Sequence, residues 1–149
     1  MHDTVKLPTD PLVQAIADYA ADYRVEDARA LEAARHCFLD SLACAFEALD
    51  HRDCTRLIGP VIPGAEVALG ARVPGTSYML DPVKACFDTA TLVRWLDLSD
   101  TWIATQTTHP SDDLGAVLAV CDYLSRRHAA AGRPPLAMRV MLEAMTKAH

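Results

Sequence analysis

Apolar residues recur every three or four positions through most of this chain, the spacing that places them on one face of a helix. Two of these stretches begin with Asp-Pro, at residues 10–11 and 81–82. An Asp N-cap followed by Pro at the first helical position is a helix start. The pattern predicts six helical segments, which cover the stretch after Asp10, about Val25 to Leu49, about Cys54 to Ile58, Asp81 to about Leu96, the stretch after Ser111, and Leu136 to His149.

The helical pattern stops between about residues 59 and 80. The sequence there, "GPVIPGAEVALGARVPGTSYML", contains three prolines and four glycines, and the Pro-Gly pairs at 63–64 and 74–75 mark turns. The segment is too apolar for a flexible linker, so we predict an ordered arm or loop, or a small hairpin. The predicted fold is all-α, one helical domain with a Pro/Gly-rich irregular arm.

Composition narrows the class of protein. A chain of 149 residues with 51% hydrophobic and 23% charged residues suits one soluble globular domain. The net charge of −6 gives no general attraction for nucleic acid or anionic membrane. The N-terminus "MHDTVKLPTD" has no apolar signal core, and the longest apolar stretch is too short to span a bilayer. We therefore expect a cytoplasmic protein with no nucleic-acid or membrane partner.

The five cysteines are scattered singly at positions 37, 44, 54, 86 and 121. They form no CxxC pair, and they lie in apolar helical contexts such as "SLACAF". This usage predicts reduced, packed thiols rather than disulfides or a zinc site.

Polar residues are concentrated in "RWLDLSDTWIATQTTHPSDDLG", from Arg94 to Gly115. Two acids, Asp97 and Asp100, end one predicted helix, and His109-Pro110 precedes the next. The Ser111 hydroxyl is expected to cap that helix, whose N-terminus offers unpaired amides to an anion. This combination of an acid, a hydroxyl, an imidazole and a helix N-terminus suits proton transfer on a polycarboxylate substrate.

Structural interpretations of the same residues stay open. Asp100 and Thr101 are also typical of an Asx turn, Ser111 is fully explained by capping, and His109 is also typical of a loop histidine without chemistry. A metal site formed by Asp97, Asp100 and His109 lacks a second histidine and a diagnostic spacing, so we predict no metal. The chain contains no dinucleotide, Walker, nucleophile-elbow or zinc-protease motif.

This stretch, together with "GPVIPG", "ARVPGTSYMLDPVKACF" and the closing "MLEAMTKAH", resembles the N-terminal part of the MmgE/PrpD family. The likeness runs from "PLVQAIADYA" to the last residue. Family members are much longer, so the resemblance implies that residues 1–149 form a single, truncated helical domain. The rest of that helical domain and a smaller α+β lid domain would complete the active site.

The resemblance implies a hydro-lyase, which removes water from 2-methylcitrate to give 2-methyl-cis-aconitate in the methylcitrate cycle of propionate catabolism. No iron–sulfur cluster or other cofactor is implied, and the partner is a small tricarboxylate substrate. Matched to the family's motif, His109 and Asp97 are catalytic candidates, and Thr101 is a substrate-binding candidate. Asp100 is a further substrate-binding candidate, and it equally suits a turn. His109 would transfer a proton or donate to the substrate, and Asp97 would orient an imidazole or hold a substrate hydroxyl.

The resemblance also places a later histidine, catalytic lysines and a tyrosine beyond His149, while Lys6, Lys84 and Lys147 all lie outside the catalytic stretch. Losing such groups typically costs several powers of ten in rate. The alternative is a catalytically silent helical module. Helices without their packing partners expose apolar faces. We therefore expect the chain to associate with copies of itself, as a homo-oligomer, or with a full-length partner.

Overall fold

The computed structural model describes residues 9–149, so Lys6 and most of the N-terminal segment lie outside the described residues. Within that range the helices are α1 Pro11–Asp22, α2 Ala28–Ala48, α3 Arg52–Thr55, α4 Pro82–Arg94, α5 Leu114–Ala130 and α6 Met138–Ala148. Two antiparallel hairpins pair β1 Ala71–Arg72 with β2 Met79–Leu80, and β3 Trp102–Ile103 with β4 Thr107–Thr108. The all-α prediction is confirmed.

Both Asp-Pro helix starts are confirmed by their hydrogen bonds. Asp10 Oδ1 accepts the amide two residues later at 2.8 Å, and Asp81 Oδ1 accepts the next two helical amides at 3.1 and 3.0 Å. The second helix starts three residues later than predicted. Val25 is buried in an extended segment, and Asp27 caps the helix by accepting an amide at 2.8 Å. The fourth ends at Arg94, two residues before the predicted end.

The core forms where α4 packs against both α2 and α5, with α6 lying on α2 and α5. Helices α4 and α5 approach each other closely at Gly115. A Cβ atom there would lie 2.8 Å from the Cys86 carbonyl oxygen and 3.0 Å from the Ala90 Cβ. The fully buried core residues include Ala45, Ala48, Cys54, Ala85, Leu92, Val93 and Leu114.

The predicted irregular arm contains a small hairpin, in which Ala71 pairs with Leu80. The hairpin is tied to α5 by Arg72, whose backbone amide donates to Asp122 Oδ2 at 2.9 Å and whose Nη2 donates to Oδ1 at 2.6 Å. Burial acts to raise the pKa of Asp122, but the hydrogen bonds from Arg72 outweigh it and hold that pKa below its usual range. The arm is therefore an ordered part of the fold.

All five cysteines are free thiols, of which Cys44 and Cys54 are buried and Cys37, Cys86 and Cys121 are partly buried. Among the helices of residues 9–149, none has the length and apolar character needed to cross a bilayer.

Candidate functional site

Arg94 organises the turn that follows α4. Its Nη2 donates to Asp97 Oδ1 at 2.8 Å, its Nη1 donates to Ser99 Oγ at 2.7 Å, and its Nε lies 3.3 Å from Asp112 Oδ1. Asp97 has a φ of 53°, a left-handed conformation that Asp adopts more readily than most residues. Its side chain is 80% exposed. Asp97 therefore sits at the surface, with its charge balanced by Arg94.

Asp100 lies further along the same loop and uses both carboxylate oxygens. Oδ2 accepts a hydrogen bond from the Cys37 thiol of α2 at 2.9 Å, and Oδ1 accepts the Ser111 backbone amide at 3.0 Å. The carboxylate thus joins α2, the loop and the short 3-10 helix before α5. Asp100 therefore has a structural role in holding these three segments together.

The His109 ring is held by the backbone of Asp100. Its Nδ1 lies 2.6 Å from the Asp100 carbonyl oxygen, and the Thr101 hydroxyl lies 3.4 Å from Nδ1. A carbonyl oxygen only accepts hydrogen bonds, so Nδ1 carries the proton. In the neutral ring Nε2 then has a free lone pair, and it forms no hydrogen bond within the described part of the chain. The loop has fixed one histidine nitrogen and left the other available.

The prediction that the Ser111 hydroxyl caps the following helix is wrong. Ser111 lies inside a 3-10 helix, Pro110–Asp113, which precedes α5. Its amide donates to Asp100, whose carboxylate takes the role expected of the serine hydroxyl. The Ser111 Oγ is buried and has no hydrogen-bond partner among residues 9–149.

A cavity of about 680 Å³ opens beside the loop, between α2 and α6. Asp100 and Thr101 line it, together with Cys37 and apolar side chains such as Ala34 and Met145. His109 and Asp97 are not among the residues that line it. Of the four predicted residues, the structure therefore groups Asp100, Thr101 and His109, and it places Asp97 separately on the Arg94 turn.

Two ionisable groups near the site have raised pKa values. Burial, followed by the hydrogen bond to Asp100, raises the pKa of Cys37 to about 12, so its thiol stays protonated near neutral pH. Burial also raises the pKa of Asp113 at the start of α5, while His149 opposes this shift and Asp112 adds to it. Cys37 can therefore act as a permanent donor.

The alternative of a metal site is not supported by the geometry. Within residues 9–149 no group of three or more His, Cys, Asp or Glu side chains is arranged to hold a metal ion. Asp97, Asp100 and His109 instead bond to Arg94, to Cys37 and Ser111, and to a backbone carbonyl.

Sequence reasoning missed two residues of the site. Cys37 is 63 positions away from Asp100 in the chain, so no local pattern connects them. Arg94 could have been found, because it lies three residues before Asp97, a spacing at which opposite charges meet on a helix and its first following turn.

Comparison with known proteins gives a consistent result. Residues 14–149 match the MmgE/PrpD N-terminal domain. A 2-methylcitrate dehydratase of Cupriavidus necator is 50% identical over 140 residues, which cover 94% of this chain and 29% of that protein.

Two further relatives carry the same name. One from Salmonella typhi is 48% identical over 90% of this chain and 28% of its own length. A mitochondrial one from Yarrowia lipolytica is 46% identical over 100% of this chain and 29% of its own length. The chain thus spans less than a third of the relatives that it matches. The chain, matched almost from end to end, belongs to the MmgE/PrpD family.

Proposed function

We propose that this chain contributes Asp97, Thr101 and His109 to an active site that removes water from 2-methylcitrate, giving 2-methyl-cis-aconitate. The observation that carries the proposal is the state of His109, whose Nδ1 donates to the Asp100 carbonyl oxygen at 2.6 Å. The names of the relatives supply the dehydration of 2-methylcitrate, and the family resemblance implies that this is a carbon–oxygen lyase step of propionate catabolism. A cytoplasmic location and a homo-oligomer remain predictions.

The chemistry requires a base, because the proton lost lies on a carbon next to a carboxylate. His109 Nε2 takes this proton, the electron pair of the C–H bond forms the double bond, and the C–O bond of the neighbouring hydroxyl breaks. The His109 imidazolium then gives this proton to the departing hydroxide, which leaves as water, and the neutral ring is restored. Asp100, by holding Nδ1–H, stabilises the imidazolium that forms, and the exposed Thr101 hydroxyl is free to contact the substrate.

The negative charge of this loop shows that the rest of the site must supply cations. The substrate carries three carboxylates, and Asp97, Asp100 and Asp112 already make this loop acidic. Arg94 is the cation of the loop, and it is paired with Asp97 and Asp112. We infer that cationic partners for the substrate come from the larger part of the relatives that this chain does not match.

The test uses residues 1–149 and follows the unsaturated product from 2-methylcitrate by ultraviolet absorbance. We expect slow turnover, because the inferred cationic partners are absent, and a further loss of about 10²–10⁴-fold in kcat for His109→Ala. His128→Ala is the matched control, because His128 also places Nδ1 near a backbone carbonyl, 3.3 Å from Pro134, but lies at the far end of α5.

Two results would overturn the proposal. In the first, the wild-type chain folds cooperatively but does not turn over 2-methylcitrate, and adding 2-methylcitrate does not shift the His109 ring resonances. The other is turnover that His109→Ala leaves unchanged.

A second candidate is an association module, favoured by one observation on α1. This helix of 12 residues has no buried residue, and Leu12 and Ile16 are 69% and 59% exposed. In size-exclusion chromatography with light scattering, a silent module would be a dimer or a larger species. The double variant Leu12→Ser with Ile16→Ser would then be a monomer. A monomeric wild-type chain would exclude self-association.

A further inference from the structure

The Cys37 thiol of helix α2 forms a side-chain hydrogen bond with the loop that joins α4 to the 3-10 helix. Its Sγ donates to Asp100 Oδ2 at 2.9 Å, across 63 residues of sequence. The helix turn that carries it is itself fixed, because the buried Ser41 hydroxyl donates to the Cys37 carbonyl oxygen at 2.7 Å. The donor therefore stands on a rigid element.

Asp100 passes this constraint on to His109. Its carboxylate is held on one side by Cys37 and on the other by the Ser111 amide at 3.0 Å. With the side chain held on both sides, the peptide group that carries the Asp100 carbonyl has little freedom to rotate. That carbonyl is the acceptor for His109 Nδ1, so its direction decides which ring nitrogen keeps the proton.

We propose that Cys37 is a positioning residue, which acts through Asp100 to hold His109 as the Nδ1–H tautomer with Nε2 free. The inference rests on the proposed function only for its effect on catalysis, since the tautomer itself is a property of the folded chain. Cys37 forms no bond with substrate in this role. The acceptor that orients the histidine is the Asp100 backbone carbonyl rather than a carboxylate, and the thiol acts on it indirectly, through its hydrogen bond to the Asp100 side chain.

The thiol suits this task because it is a small, neutral donor. A lysine or arginine would neutralise Asp100 and compete for its oxygens, whereas the thiol leaves the carboxylate charged. Partial burial and the hydrogen bond to Asp100 raise the pKa of Cys37, so the donor proton is present at neutral pH.

The experiment measures the His109 tautomer on the 149-residue chain by long-range nitrogen-15 NMR. The wild type should show one tautomer, with the proton on Nδ1. Cys37→Ala should show a second tautomer, with the proton on Nε2, and Cys37→Ser should restore the wild-type pattern, because its hydroxyl also donates. If Cys37→Ala fails to unfold cooperatively, Cys37→Val tests the same loss of the donor with the apolar volume retained.

Cys121→Ala is the matched control. Cys121 is also a partly buried thiol packed against the core, and burial raises its pKa, but it lies on α5 away from Asp100. It should leave the tautomer unchanged. The inference is wrong if Cys37→Ala keeps the single wild-type tautomer, or if Cys121→Ala alters the tautomer equally.

Turnover provides the second measurement. In an active chain, Cys37→Ala should lower kcat by about 10–100-fold with KM changed less than about twofold, and Cys37→Ser should recover most of the loss. A loss confined to KM would contradict a role in orienting the proton-transfer group. If the folded wild type shows no turnover, the proposed function fails while the tautomer measurement still decides the role of Cys37.

Discussion

Asp88 offers the sharpest test of how this domain is held together. Its carboxylate is fully buried on α4, where Oδ2 accepts the Gly59 amide at 2.8 Å and Oδ1 pairs with Lys84. The Lys84 ammonium also donates to the Leu57 carbonyl oxygen at 3.2 Å. One buried ion pair thus fastens the start of the Pro/Gly-rich arm to the central helix.

The loss of stability expected for Asp88→Ala follows from these contacts. Removing one partner of a buried ion pair costs about 3–5 kcal/mol, because the remaining charge is left without compensation. In Asp88→Ala the Gly59 amide also loses its acceptor, while Lys84, 15% exposed, regains some water. We expect the free energy of unfolding to fall by about 3–5 kcal/mol, out of a total of about 5–15 kcal/mol for a domain of this kind.

Urea unfolding followed by circular dichroism measures this loss. With a slope of about 2 kcal/mol per molar urea, the midpoint should fall by about 1.5–2.5 M. Asp81→Ala is the control, because it removes the N-cap carboxylate of the same helix and should cost about 1 kcal/mol. Asp88→Ala combined with Lys84→Met should be less destabilised than the sum of the single changes, since the unpaired cation is gone.

An Asp88→Ala loss no larger than that of Asp81→Ala would refute this reasoning. So would strict additivity with Lys84→Met, because the two charges would then be energetically independent. Either result would mean that the Asp88–Lys84 pair does not fasten the arm to α4.

Two other changes test the packing around α5. Gly115→Ala should lower stability by about 1–3 kcal/mol in urea unfolding, because the new methyl group would meet the Cys86 carbonyl oxygen at 2.8 Å, and a gain in stability would contradict this close helix contact. Asp122→Asn should lower stability at pH 7 by about 1 kcal/mol, a small value because Arg72 is 66% exposed. Since the pKa of Asp122 is lowered in the fold, this difference should be present above about pH 4 and shrink as pH falls below it, and an equal difference at pH 3 would refute it.

Helix positions were predictable because their signals are local. Asp10 and Asp81 each supply a cap within three residues, and apolar spacing needs only a few turns to be read. The boundary of α2 was missed because apolar Val25 continues the helical pattern, although it is buried in an extended segment before the Asp27 cap. Tertiary burial outweighed the periodic signal at that position.

The candidate site was predictable only in part. Its composition identified the loop, and the resemblance selected Asp97, Thr101 and His109. The role of Asp100 depends on Cys37, which lies 63 residues away, and on the Ser111 amide. No local rule distinguishes an acid that accepts a distant thiol from an acid at a turn, so this contact required the structure.

The two acids of the loop illustrate how similar residues acquire different roles. Asp97 lies three residues after Arg94 in a left-handed turn, so its carboxylate is exposed and balanced by a neighbouring cation. Asp100 forms no ion pair with a cation of residues 9–149 and instead accepts hydrogen bonds from the neutral donors of Cys37 and Ser111. Its carboxylate is therefore held inside the loop, on the residue whose carbonyl oxygen lies 2.6 Å from His109 Nδ1. An acid that is hydrogen-bonded but not neutralised is suited to stabilise a histidine that has just taken a proton, whereas the exposed Asp97 is better placed to meet a substrate.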